Sequence, residues 1–146
     1  MKKSDITKLN LMAFMYLTLA DIDNDPTDKE LSLAVSLLNE WGAEDKLATD
    51  KIIKESFEWY MSARDQNKVG SEIESNLHVF DGFNEDHRKS ILNDMIKGVN
   101  SNIDEKKPKN LLDHSIVNNL KFFHTHQMVP FLKKEVNFDE IINQLN

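Results

Sequence analysis

The 146-residue chain predicts an all-α fold, a single-domain bundle of about six to seven helices over residues 1–146. Three observations lead there. Apolar residues recur three and four positions apart along most of the chain, and no segment shows the strict alternation of a half-buried strand. Only four Gly and three Pro occur, too few for the turns of a sandwich or barrel or for a phosphate-cradling loop. Capping residues stand ahead of the periodic segments, and no long polar linker divides the chain. A chain of this length can bury a core of its own.

Each element has its own signal. Ser4 is placed to cap a first helix, in which Ile6, Leu9, Met12 or Ala13, Tyr16 or Leu17, and Ala20 recur at helical spacing and which runs to about Ala20. Thr27-x-x-Glu30 reads as a capping box opening a second helix with the stripe Leu31, Ala34, Val35 and Leu38, and Gly42 after Trp41 is a natural left-handed stop. Thr49 is placed to cap a third helix carrying Ile52, Ile53, Phe57, Tyr60 and Met61, which breaks near residues 67–71. A short fourth segment with Ile73, Leu77 and Phe80 runs into the turn Asp81-Gly82, and Asn84 caps a fifth helix through Ile91, Leu92, Met95 and Ile96. After a polar break over residues 100–107, Pro108 suits the first turn of a sixth helix with Leu111, Leu112, Ile116 and Leu120. Pro130 marks the next break, and Asn137 caps a last short helix with Ile141, Ile142 and Leu145.

Composition excludes several functions. The chain has no Cys, which removes disulfides, thiolate metal sites, cysteine nucleophiles and thiol reduction. A formal charge of -7 argues against nucleic acid and anionic membrane surfaces, both of which need a basic face, and in favour of a cation or a basic protein partner. No apolar run reaches the ~18 to 20 residues of a membrane span. Residues 1–20 have the lysines and apolar run of a secretory signal, but Asp5 stands where a signal is basic and the helical spacing begins before the apolar run, so they read as a core helix of a cytoplasmic protein. The alternative is a secreted protein.

The most informative stretch is residues 21–30, where Asp21, Asp23, Asp25, Asp28 and Glu30 face a single base, Lys29; four of the seven net negative charges lie here. Carboxylates this close repel one another, and a hard divalent cation relieves that. An EF-hand is ruled out, since counting from Asp21 its obligatory Gly and bidentate Glu fall on Pro26 and Ser32. The ordinary alternative is a solvated turn in which Thr27, Asp28 and Glu30 cap a helix and complement its dipole.

A helix ending in Leu19-Ala20-Asp21, an acidic turn, and a helix opened by Glu30 and closed by Gly42 resemble the first half of TerB-like tellurite-resistance domains. The module is also similar to the N-terminal domain of some DnaJ-like co-chaperones, although no His-Pro-Asp motif is present. The family motif sets Glu seven residues after Asp, as Asp23 and Glu30 are, with Asn24 where Gly is usual and Pro26 where a hydrophobic residue is usual. The family is built from two related halves. An offset of 77 residues lays Asn100 to Lys107 on Asp23 to Glu30, with Met15, Leu19 and Ile22 facing Leu92, Ile96 and Val99.

The resemblance implies two helix–acidic loop–helix halves whose loops lie near each other and hold a divalent cation, with calcium the expected ion. Asp23, Asp25 and Glu30 carry over as ligands, while Asn100, Asn102 and Asp104 offer amide oxygens and one charge. Lys107 departs from the pattern by putting a cation where the family has a ligand, and pairing with Asp28 or Glu30 it is an internal counter-ion in place of a metal. The implied protein is non-catalytic and associated with tellurite or other chemical stress. The alternative is a small acidic interaction module, an adaptor, inhibitor or immunity-type protein, using the same face against Lys or Arg on a partner.

Other motifs point to ordinary roles. His124-Thr125-His126 would suit zinc on a strand, but helical spacing sets the two rings about 200° apart, and interaction with a helix C-terminus is the expected role. His114 lies two to three turns from them. His78, His87 and Asp81 have no catalytic spacing, and no serine sits in a Gly-x-Ser-x-Gly context. Trp59 and Tyr60 are adjacent on a helix, so one of them is expected to face outward.

Overall fold

A computed structural model describes residues 6–20, 28–42, 45–106, 120–121, 123–129 and 138–144. Five longer helices form the bundle: α1 (Lys8–Ala20), α2 (Asp28–Trp41), α3 (Lys46–Asp65), α4 (Val69–Asn76) and α5 (Glu85–Lys106). A 3-10 turn, Leu77–Phe80, extends α4; a π-helical stretch, His124–Met128, and the short α6 (Phe138–Ile142) complete the described chain. No strand occurs among the described residues, so the all-α expectation holds. Nor does any described helix have the length and apolarity to cross a membrane.

α1 is the axis of the bundle. Every residue from Leu11 to Leu17 is buried, because its sequence is apolar on all sides and it packs against α2, α3, α4 and α5. Contacts along its length give the directions of its neighbours. Asn10 meets Ser56 and Phe14 meets Trp59 and Tyr60, so α3 runs with α1. Lys8 sits over the Phe83 ring just before α5, and Tyr16 reaches Asp94 in its middle, so α5 also runs with α1. α2 returns the other way and brings Trp41 back to Phe83 and His87. Phe14, Phe80, Phe123, Met95 and Leu38 are fully enclosed, each worth about 1.5–3 kcal/mol of burial.

Several caps differ from expectation for local physical reasons. Thr7, not Ser4, which lies outside the described residues, stands at the start of α1: its hydroxyl accepts the Asn10 N–H at 3.2 Å, and Asn10 Oδ1 accepts the Thr7 N–H at 2.9 Å, a reciprocal box. Asp45, not Thr49, caps α3 by accepting the Ala48 N–H at 3.1 Å. Thr49 is instead buried and donates to the carbonyls of Gly42 and Asp45. Gly42 does end α2, but not through a left-handed backbone, since no glycine has positive φ. A Cβ there would lie 1.9 Å from Thr49 Oγ1, so close packing of α2 against α3 demands glycine.

The left-handed residue is Asn67, at φ 60°. With Asn67 N–H on the Arg64 carbonyl and Lys68 N–H on that of Ala63, it closes α3 in a Schellman motif. Asn84 caps α5 as expected, accepting the His87 N–H at 2.8 Å. Two core assignments shift: Val35 is 38% and Phe57 42% exposed, and Leu37 and Ser56 are buried in their helices instead.

The largest departure concerns α5. The sequence predicts a polar break over residues 100–107, but the helix continues to Lys106. Asn and Ser are only modestly poor helix formers, so the polar stretch by itself does not break the helix. Of the expected sixth helix, Pro108, Leu111, Leu112 and Ile116 lie outside the described residues, and Leu120 is buried. Pro130 and Asn137 lie outside them too, while α6 follows with Ile141 fully enclosed.

Candidate functional site

The sequence-predicted cation site falls at the α1–α2 junction. Asp21, Asp23, Asp25 and Lys107 lie outside the described residues; Asp28 is exposed as the first residue of α2, and Glu30 belongs to its first turn. The second predicted segment is helical. Positions 100 and 104 are one turn apart on α5, and position 102 falls on the opposite side, so the three do not line a loop as the two-half comparison implies. Asn100 donates from Nδ2 to the Gln144 carbonyl at 3.2 Å, tying α5 to the end of α6.

Among the described residues the structure brings no three acids or histidines together in a way that would hold a metal ion. His124 is buried against the Phe138 ring and His126 is exposed, so the His-x-His step diverges as helical spacing requires; His114 lies outside the described residues. Of the Trp59–Tyr60 pair, Tyr60 is buried and Trp59 half-buried, its ring 4.2 Å from that of Phe14.

The structure instead sets an acid in the core, which sequence reasoning overlooked. Asp94 is 8% exposed, and its Oδ2 accepts both the Tyr16 hydroxyl at 2.7 Å and the Trp41 indole N–H at 2.8 Å. One oxygen thus joins α1, α2 and α5. Burial raises the Tyr16 pKa well above its ordinary value, and the charge of Asp94 and the hydrogen bond to it push the same way. The available signal was spacing: Asp94 falls three residues after Ile91, on the buried side of an amphipathic helix where an acid must find donors.

Above this carboxylate lies an open cleft of about 430 Å³ between the end of α2 and the outer face of α5, lined by Glu40, Trp41, His87, Asn93, Asp94 and Lys97. Its aromatic wall is backed by Phe83, which stacks on Trp41 at 5.9 Å and touches the His87 ring at 4.9 Å.

A second buried network lies below it. Arg88 is 3% exposed and donates from its guanidinium to the carbonyls of Phe80, Asp81 and Phe83, at and just beyond the end of the 3-10 turn. Its Nε reaches Gln127 Oε1 at 3.4 Å, and Gln127 donates to the Leu77 carbonyl and to Asp81 Oδ1. Burial draws the Arg88 pKa down, and the Asp81 carboxylate works against that. The π-helical stretch is fastened to α5 by this network.

Compared with known protein families, with curated proteins and with solved structures, the chain matches none.

Proposed function

We propose that this is a non-catalytic, TerB-like helical protein that takes up a divalent cation, calcium first among the ions to try, on the acidic stretch between α1 and α2. Asp21, Asp23, Asp25, Asp28 and Glu30 are the ligands offered. The observation that carries the reading is the common direction of α1, α3 and α5. Each helix ends with a partial charge of about -0.5, so three C-termini point the same way as the acidic stretch that leaves α1. Two helix starts, those of α2 and the short α4, oppose them. Acids added where helix C-termini gather raise the repulsion that a cation relieves.

The helical course of residues 100–106 reduces the ligand set to the first stretch. A role in tellurite or other chemical stress, in the cytoplasm, comes with the resemblance alone.

The test is calorimetric titration of calcium, magnesium, manganese and zinc into chelator-treated protein. Saturable binding of one ion below millimolar, lost in D23N/E30Q, supports the reading; no binding below millimolar overturns it.

One observation favours a second reading, an acidic interaction module for a basic protein partner. Leu47 is 85% and Phe57 42% exposed on the outer side of α3, uncovered apolar groups among the acids Asp50 and Glu58 and the lysines Lys51 and Lys54. A partner whose capture weakens as salt rises, in metal-free buffer, distinguishes it.

A further inference from the structure

We infer that the cleft over Asp94 is a binding site for a small organic ammonium ion, whose charged head donates to the second oxygen of that carboxylate. This inference does not rest on the acidic stretch between α1 and α2.

The hydrogen bonds to the Asp94 carboxylate are unequally divided. Asp94 is more than nine-tenths buried, yet both donors, Tyr16 and Trp41, meet Oδ2. Oδ1 has no partner among the described residues and is not sealed from solvent, so it opens to the cleft. A carboxylate oxygen can accept two hydrogen bonds, and one held in a partly desolvated wall favours a charged donor over a neutral one.

The surroundings define that donor. Glu40 adds a second negative charge at the rim, and α2 ends at Trp41 with its carbonyl pole beside the cleft. Trp41 supplies a half-buried indole, the ring with the strongest attraction for a cation above its face. Bare metal ions require several oxygens, whereas an alkylammonium needs one strong acceptor, a rim charge and an apolar wall for its methylenes. A volume of about 430 Å³ admits a chain of a few carbons.

Lys97 is the competitor. It lines the same cleft one turn after Asp94 and forms no ion pair with it. Its charge opposes an incoming cation, so its removal must tighten binding. The same ammonium head is carried by a free alkylamine or by a lysine of a protein partner.

The experiment follows the Trp41 indole N–H resonance while n-butylammonium chloride is added to the full chain, with n-butanol and sodium chloride as controls. Expected are a saturable shift with n-butylammonium and none with the controls. D94N, its fold checked by circular dichroism, weakens binding about tenfold or more, as loss of a charged hydrogen bond requires. Lys97 is exposed, so K97M keeps the fold and tightens binding about twofold; it decides the matter if D94N does not fold. Tighter binding of Nα-acetyl-lysine N-methylamide than of n-butylammonium assigns the site to a partner's lysine, and the reverse to a free amine. The proposal is overturned if n-butanol or sodium chloride reproduces the shift, if folded D94N binds as wild type does, or if K97M fails to tighten binding.

Discussion

Asp94 and Tyr16 form a pair in which each substitution has a distinct signature. Asp94→Ala leaves two buried donors, the Tyr16 hydroxyl and the Trp41 N–H, without an acceptor, and urea melts should show a loss of about 2–5 kcal/mol. Asp94→Asn keeps an acceptor and should lose clearly less. Tyr16→Phe removes one bond and costs about 1 kcal/mol near neutrality. It also changes the response to alkali. The Tyr16 pKa is raised in the folded state, so the folded chain holds its proton where the unfolded chain has released it. That contribution is complete below the unfolded value of about 10 and is lost as pH rises from there toward the folded value. Stability measured from pH 9 upward should therefore fall less steeply in Tyr16→Phe than in wild type.

At the scale of elements, α2 ends at Gly42 directly against the Thr49 side chain of α3. Gly42→Ala drives a Cβ into the Thr49 side chain, and the expected cost is about 1–3 kcal/mol by chemical denaturation. Combined with Thr49→Ala the loss should be less than additive, because the two changes share one contact. This junction also shows how far local signals reach. Gly42 was legible as the end of α2, but its reason was not, since the hydroxyl that excludes a side chain belongs to the next helix. The course of α1 was legible, as its apolar spacing starts before its apolar run, but its cap at Thr7 and its burial on all sides were not. The length of α5 was not: asparagines and a serine suggest a break at residue 100, yet they are only modestly poor helix formers and the helix runs through them to Lys106. Asp94 was hidden for a related reason. A search for function by charge looks for clusters, and this acid stands alone, its donors 78 and 53 residues away in sequence.

For the whole molecule, the arrangement of helices turns a charge of -7 into an asymmetric one. Three parallel helices direct their negative poles toward the side from which the acidic stretch leaves α1. The Arg88–Gln127 network lies near the start of α5, and the Asp94 cleft opens beside Trp41 at the end of α2, the length of that helix, roughly 20 Å, from Asp28 at its start. The two sites should accordingly respond independently: a divalent cation at one and an ammonium ion at the other, each leaving the other's affinity unchanged within about twofold, as expected for separated surface charges screened by salt.

Whether a bound cation neutralises residues 21–30 is read from the melting temperature of D23N/E30Q against wild type, in chelator and in calcium. In chelator the variant should melt above wild type, because like charges have been removed. With calcium at about a hundred times its dissociation constant, wild type should rise by roughly 5–10 °C and overtake a variant that barely moves. A variant that melts higher under both conditions, with wild type unmoved by calcium, contradicts the account.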